Sequence, residues 1–271
     1  MRSGGVSPET SATHPSPATK LPLEIVEMII SYLIYDSRSL RACTLTCYSW
    51  YISAVPHLHH TLTTKIDPLD QKFGWPNPIR HMHTLGLLPL VKSFSVRYEI
   101  DNNDFGFSLN LFDFCVLRQF SALSNVQELE IQGLDIPNFM PRIQQYFGHF
   151  FPTVKSLTLG GPRGSCRQII YFIGLFQHLQ DLALNYCRAN SQEESANDST
   201  LVPFFIPPLG GTLKIMYFTR VDLLKGMIDL FEGIRFRRML LYDVDGMRLL
   251  LGACAKTLEG LMLYSTDPRG E

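Results

Sequence analysis

Apolar residues recur through the last two thirds of the chain as triplets with the spacing apolar-x-x-apolar-x-apolar. Successive triplets start 22 to 35 residues apart. The last two members of a triplet are two residues apart, which is the period of a β-strand with one buried face. The pattern predicts seven short strands: Val91/Phe94/Val96, Val126/Leu129/Ile131, Val154/Leu157/Leu159, Leu179/Leu182/Leu184, Leu213/Met216/Phe218, Phe236/Met239/Leu241 and Leu258/Leu261/Leu263.

Segments with helical spacing separate these triplets: Leu109–Phe120, Phe139–Phe150, Cys166–Phe176, Val221–Phe231 and Met247–Ala255. Strand then helix, repeated, predicts an α/β fold with a parallel sheet inside and helices outside. One such unit cannot bury its own apolar face, so neighbours must stack. We interpret residues 91–271 as a solenoid of irregular leucine-rich repeats. A doubly wound α/β fold is the alternative, although no glycine-rich phosphate turn follows the first strand.

The chain ahead of the repeats has three parts. Residues 1–20 are rich in Ser, Thr, Pro and Gly, and we expect a disordered tail because they bury too little to offset their ordering entropy. Residues 21–62 carry three short helical patterns, and residues 63–90 form a junction. At the other end no polar terminal repeat closes the array, which is compatible with truncation of the C-terminus.

The three helical patterns have clear boundaries. Pro22 can start the first helix without losing a backbone donor. Asp36 or Ser37 can cap the second helix. Trp50 lies near the start of the third, which Pro56 is expected to end. Apolar residues recur at helical spacing in the first two patterns, at Ile25, Ile29 and Leu33 and at Leu40, Cys43 and Cys47.

The run LPLEIVEMIISYLIYDSRSLRACTLTCYSW, followed by PHL, resembles an F-box in its Leu-Pro start, its Leu-centred second helix and its Cys-x-Ser-Trp element. With irregular leucine-rich repeats behind it, the chain is similar to the large F-box families of filamentous and mushroom-forming (basidiomycete) fungi. The resemblance implies docking onto a Skp-family adaptor, which joins the chain to a cullin. It also implies a set of adaptor-binding residues: Leu21, Pro22, Ile25, Ile29, Leu33, Leu40, Cys43, Cys47 and Trp50.

Physical chemistry gives a separate reason to expect a partner for residues 21–62. A module of about forty residues cannot hide so many Leu, Ile, Tyr and Trp side chains inside three short helices. An apolar stripe should remain for another helical surface. The alternative is that this stripe packs against the first repeats of the same chain.

Charge is nearly balanced, since 24 Lys and Arg residues and 25 Asp and Glu residues give a net charge of −1. Such a weak field does not recruit a polyanion by counterion release, so we expect no nucleic acid partner. No stretch reads as a secretory signal or a membrane span. The six cysteines are scattered singly, as expected of reduced, buried thiols. We therefore expect no membrane partner and a location in the cytosol or nucleus.

Motifs of the common enzyme classes do not occur in the sequence. The glycines of GGPRGS are interpreted as a turn after a strand, because no Lys-Ser/Thr follows them. Five histidines are close together in sequence, at His57, His59, His60, His81 and His83. No Cys or carboxylate residue accompanies them at the spacing of metal ligands. We expect no catalytic activity, no cofactor and no metal.

Residues that alternate with the buried triplets should line the opposite face of the sheet. They are polar in the second to fourth strands and apolar or aromatic in the last three. Side chains directly across neighbouring strands lie about 5 Å apart, so the last three strands could share one patch. We interpret six residues as candidate target-binding residues: Ile215, Tyr217, Leu240, Tyr242, Met262 and Tyr264. The alternative is that residues 189–200 or further repeats cover this patch.

The leading hypothesis is a non-catalytic substrate receptor of a Skp-cullin-F-box ubiquitin ligase, which acts by holding a target protein near the conjugating enzyme. The sequence does not name that target. The alternative is an F-box and leucine-rich-repeat scaffold that takes no part in ubiquitin transfer. A cullin that co-purifies with the chain favours the first hypothesis.

Overall fold

The structure is a computed structural model, which describes residues 21–66, 77–98, 121–134, 136, 148–187, 209–218, 221–230, 235–244 and 246–264. The chain divides into two compact units, Met1–His59 and His60–Glu271. The predicted tail, the predicted helix Leu109–Phe120 and the loop at 189–200 lie outside the described residues. Within the described ranges, no helix has the length and apolar character needed to cross a membrane.

The first unit contains α1 (Leu23–Tyr32), α2 (Ser37–Thr44) and α3 (Tyr48–Leu58). Pro22 is the N-cap of α1. Asp36 caps α2, because its carboxylate accepts hydrogen bonds from the backbone N–H groups of Arg38 and Ser39. The Ser39 hydroxyl donates to the same carboxylate, and these bonds together lower the pKa of Asp36. The predicted starts of the first two helices are therefore confirmed.

The three helices share a small core of Val26, Ile30, Leu40, Cys43 and Ala54. The predicted end of the third helix at Pro56 is wrong, because α3 continues to Leu58. Pro56 lies in the last turn, where the N–H of His59 still donates to the carbonyl of Val55. That bond closes the turn although the proline itself has no N–H.

The second unit is built on an open sheet of eight parallel strands that lie in chain order. The strands are β1 (Thr61–Ile66), β2 (Ser93–Tyr98), β3 (Glu128–Gln132), β4 (Ser156–Gly160), β5 (Asp181–Asn185), β6 (Thr212–Phe218), β7 (Arg238–Val244) and β8 (Gly260–Tyr264). The helices described between them are α4 (Asn77–Thr84), α5 (Cys166–Ile173), α6 (Val221–Leu230) and α7 (Met247–Cys254). The predicted α/β fold with a parallel sheet and helices is confirmed, and the open sheet is consistent with a solenoid.

Two rows of aliphatic side chains hold neighbouring strands in register. The first row is at most 2 % exposed and runs through Leu129, Leu157, Leu182, Leu213 and Met239. The second row lies two residues further along each strand, at Ile131, Leu159, Leu184, Ile215 and Leu241. Strands β3–β7 therefore each bury one face and leave the other for a different use, whereas on β8 the residues that continue the two rows, Leu261 and Leu263, are exposed.

The sequence pattern missed β1. This strand pairs with β2 and occupies Thr61–Ile66, across the predicted boundary between the module at 21–62 and the junction at 63–90. Its position equivalent to the buried Val96 of β2 is Thr64, which is 2 % exposed. A threonine in that row breaks the apolar triplet by which the other strands were found.

The predicted triplet Leu213/Met216/Phe218 is shifted along the chain. In the structure Leu213 and Ile215 are paired with Leu182 and Leu184, so Ile215 takes the buried position and Met216 faces the other way. The position three residues before Leu213 holds Gly210, where the neighbouring triplets have Leu179 and Phe236. Because position 210 has no apolar side chain, the triplet pattern fitted best three residues later, where it starts at Leu213.

A residue with a left-handed backbone lies near the end of each of the four strands β3–β6. Glycine holds this position twice, as Gly133 and Gly161, and tyrosine holds it twice, as Tyr186 (φ 56°) and Tyr217 (φ 51°). The N–H groups of the first three donate across to the next strand, to the carbonyls of Gly160, Asn185 and Met216 at 2.7–2.9 Å. A side chain in this conformation costs roughly 1–2 kcal/mol, because its Cβ crowds the neighbouring carbonyl oxygen.

We expect the buried rows to carry most of the stability of the second unit. Leu184→Ala removes a fully buried side chain and should lower the free energy of unfolding by about 2–5 kcal/mol. Leu263→Ala is the matched control, because Leu263 continues the same row in β8 but is 53 % exposed. Urea titration followed by circular dichroism should show the smaller loss for Leu263→Ala. Equal losses would contradict the described packing.

The left-handed position can be tested with two glycine substitutions. Gly161 has φ 56° and no atom within 4 Å of the Cβ position, so Gly161→Ala should destabilise by about 1 kcal/mol through its backbone alone. Gly252 lies inside α7 with the same open surroundings, and Gly252→Ala should stabilise by about 0.5–1 kcal/mol. Thermal unfolding of both variants measures the contrast, and shifts in the same direction would refute a left-handed residue 161.

Candidate protein-binding surfaces

The first unit exposes an unusual amount of apolar surface for its size. The large apolar side chains that are 38–96 % exposed, here called the apolar surface of the first unit, are Leu21, Leu23, Ile25, Met28, Tyr32, Ile34, Tyr35, Leu45, Tyr48, Tyr51 and Ile52. Its core holds only five buried residues. So many exposed apolar side chains in a small module are typical of a protein-binding site.

The predicted adaptor-binding residues divide into three groups by burial. Leu21, Pro22 and Ile25 are exposed. The half-buried residues are Ile29, Leu33, Cys47 and Trp50. Leu40 and Cys43 are buried in the core of the unit, so the structure corrects their assignment as contact residues. Residues spaced i, i+3 on α2 turn inward because α1 and α3 cover that face.

Several residues of the apolar surface were not predicted from the sequence. On α1, Ile25, Met28 and Tyr32 are spaced i, i+3 and i+7 and are all exposed, whereas Val26 and Ile30 are buried. The helix therefore has two apolar faces. The spacing of Ile25, Met28 and Tyr32 was the signal that could have identified the outer one.

Cys47 is the N-cap residue of α3. Its Sγ lies 3.3 Å from the Ser49 hydroxyl, and this hydrogen bond together with the N–H of Trp50 lowers the pKa of the thiol. Burial acts in the opposite direction on Cys43, whose pKa it raises. The two cysteines thus differ in environment although the sequence pattern treated them alike.

A second candidate surface lies on the sheet face opposite the buried rows, at β6–β8. Its main feature is a tyrosine row, which we define as Tyr186, Tyr217, Tyr242 and Tyr264. Tyr186 and Tyr217 stack with ring centroids 5.1 Å apart and planes at 13°. Tyr242 and Tyr264 stack at 4.2 Å and 4°. Burial, with the neighbouring Tyr264, raises the pKa of Tyr242.

Five of the six predicted target-binding residues lie at this surface. Met262, Tyr217 and Tyr264 are exposed, and Leu240 and Tyr242 are half-buried. The prediction of Ile215 as a target-binding residue is wrong, because Ile215 is 0 % exposed and belongs to the second buried row. Tyr186 was not predicted, because it follows a strand with small or polar outward residues; it has a left-handed backbone and stacks on Tyr217.

A cavity of about 460 Å³ lies at the beginnings of the same strands. It is lined by Gln180, Gly210, Gly211, Thr212, Arg237, Arg238 and Glu259. Arg237 Nε lies 3.8 Å from a carboxylate oxygen of Glu259, so this pair partly neutralises itself. Arg238, which has no ion-pair partner among the described residues, adds a positive charge at the border between the cavity and the face that carries the tyrosine row.

Candidate metal ligands do not cluster in the described part of the chain, where no group of three or more His, Cys, Asp or Glu side chains is placed to share an ion. The histidines at 57, 59, 60, 81 and 83 lie within these ranges. The two apolar surfaces are therefore the features that a functional proposal must explain.

Comparison with known proteins bears on the first unit. Residues 18–65 match the family model described as F-box-like. This stretch includes α1–α3 and the exposed apolar side chains that surround them. No curated protein matches the chain. The chain thus carries an F-box-like domain at residues 18–65, as its sequence motif predicts.

Proposed function

We propose that the chain is the substrate-recognition subunit of a Skp-cullin-F-box ubiquitin ligase. In this proposal the F-box-like domain binds a Skp-family adaptor, and through it a cullin, while the second unit binds a target protein. The observation that carries the proposal is the match of residues 18–65 together with the exposed apolar side chains of the same residues. We also propose that the second unit is an irregular leucine-rich-repeat array of the fungal F-box type, which its in-order parallel sheet supports.

The adaptor contact is the best supported part of the proposal. Burying side chains such as Tyr32, Leu45 and Tyr48, which are more than three quarters exposed, would supply the apolar area that a stable interface needs. Leu40 and Cys43 would act from inside, by holding α1 and α3 in place. The contact would thus depend on α1 residues at the surface and on α2 residues in the core.

The chain itself would perform no covalent chemistry. A receptor of this kind accelerates ubiquitin transfer by raising the local concentration of the target next to a conjugating enzyme that carries ubiquitin. It needs no nucleophile, cofactor or metal of its own. We propose a location in the cytosol or nucleus, which the free thiols of the five described cysteines support.

Adaptor binding tests this function directly. Leu21→Ser combined with Ile25→Ser removes two exposed anchors, and we expect roughly a hundredfold weaker binding of a purified Skp-family adaptor, since buried anchors dominate interfaces. Leu249→Ser, an equally exposed apolar residue on α7 of the second unit, is the matched control and should bind normally. Surface plasmon resonance measures both affinities.

Adaptor affinity and the co-purification of a cullin with the chain together decide between the hypotheses. Unchanged adaptor binding by a folded double variant would refute the proposed interface. If the adaptor binds but no cullin is recovered with the complex, the chain is a scaffold outside ubiquitin transfer. Circular dichroism checks that the variants are folded. We expect unchanged spectra, because both substituted residues are solvent-exposed.

A further inference from the structure

The outward face of the sheet changes character at β6. On β3–β5 the outward side chains are small or polar, such as Glu130, Thr158 and Asp181. On β6–β8 they form three rows across the strands, which we call the β6–β8 face. In register these rows are Thr212/Arg238/Gly260, Lys214/Leu240/Met262 and Met216/Tyr242/Tyr264. Along the strand direction, the first row carries Arg238, the second carries Lys214 beside two apolar side chains, and the third carries two tyrosines.

The charges described on this face are all positive. Lys214 and Arg238 have no ion-pair partner within the described part of the chain. The ideal Cβ position at Gly260 lies 3.7 Å from Arg238 Cγ, so the arginine stem runs beside β8 at the edge of the face. On the neighbouring strand β5, the Asp181 carboxylate accepts a hydrogen bond from the Thr212 N–H and is in no ion pair with Lys214 or Arg238 among the described residues. Two unpaired cations thus remain beside exposed apolar side chains.

The tyrosine row extends the face toward β5, and two of its four residues have a strained backbone. Tyr186 and Tyr217 occupy left-handed positions that Gly133 and Gly161 fill in the preceding strands. Glycine would adopt this conformation more easily, so the two rings are retained against a cost in stability. Both rings are exposed, at 52 % and 40 %, and their hydroxyl groups have no hydrogen-bond partner among the described residues. Backbone strain of this kind clusters at functional sites in proteins.

We propose that the β6–β8 face and the tyrosine row bind an acidic protein segment that carries an apolar side chain a few residues from its carboxylates. The carboxylates lie against Lys214 and Arg238, and the apolar side chain packs on Leu240, Met262 and the tyrosine rings. Rows two residues apart on a strand are about 7 Å apart, which is also the spacing of side chains i and i+2 on one face of an extended peptide. This inference rests on the proposed function, since it defines the chemistry of the target.

A single-stranded nucleic acid is the other class of ligand that combines negative charge with stacking. It needs free aromatic faces and a track of cations. Here the rings already stack on one another in pairs, and the face offers two cations in a chain of net charge −1. The arrangement favours carboxylates on a protein segment.

Selection from a displayed library of random 12-residue peptides on the full-length chain tests the proposal. The peptides enriched on the wild type should combine Asp or Glu with Leu, Phe, Tyr or Pro. When the double variant Lys214→Glu with Arg238→Glu is the selection target, the enriched peptides should be basic and carry the same apolar residues. The peptide that binds the wild type best should bind this variant at least about tenfold more weakly. Fluorescence anisotropy at two salt concentrations measures that affinity.

Two further variants make the outcome specific. Tyr186→Gly with Tyr217→Gly deletes two rings while suiting the left-handed backbone, so it should weaken the peptide without unfolding the sheet. Arg248→Glu, a charge reversal at an exposed residue of α7, is the matched control and should leave the preference unchanged. Tyr217→Ser with Tyr242→Ser and Tyr264→Ser should abolish peptide binding and spare adaptor binding.

The proposal is overturned if no acidic peptide class is enriched, if the charge-reversed variant selects the same peptides, or if a labelled single-stranded RNA binds more tightly than the best peptide. Adaptor binding measured on the same samples separates the two levels of inference. If no acidic peptide is selected but the chain still binds the adaptor, only the proposed peptide site is rejected. Loss of adaptor binding with peptide selectivity retained rejects the ligase function and leaves the site.

Discussion

The second unit depends on one constraint, which is that no strand can bury its aliphatic residues except against its neighbours. Leu157 of β4 is fully buried because Leu129 and Leu182 flank it in register. The same requirement fixes the pairing of every strand, since a slip by one residue would expose the row and bury the opposite face. The orientation of the polar and aromatic residues then follows without further specification.

The first unit solves the same problem differently. Its core of five residues is too small to cover the apolar side chains of three helices, and eleven large ones stay exposed. A partner that covers them would add burial that the module lacks by itself. Recognition and stability are therefore coupled in the F-box-like domain, whereas in the sheet they are assigned to opposite faces of each strand.

The sequence was informative wherever a single periodicity decided the structure. The strands at Leu129, Leu157, Leu182 and Met239 and the helices α5–α7 follow the predicted pattern. It was misleading where one residue broke the pattern, as Thr64 did in β1 and Gly210 before β6.

The candidate surfaces were harder to predict for a different reason. Leu40 and Cys43 resemble contact residues in sequence, but tertiary packing turns them inward. Tyr186 reaches its stacking partner through a backbone conformation that tyrosine rarely adopts, and no propensity rule predicts this. Side-chain direction at such positions is a property of the assembled sheet and not of the local sequence.

The order of the strands in the sheet has a consequence for how such chains change over generations. Each described strand pairs with the described strands before and after it in the chain, and all share one register. A duplicated or deleted stretch of DNA that encodes one whole strand and its connection would leave the flanking strands able to pair with each other. Gene recombination can therefore lengthen or shorten this protein in whole units, and each event brings a new set of outward residues beside the old ones.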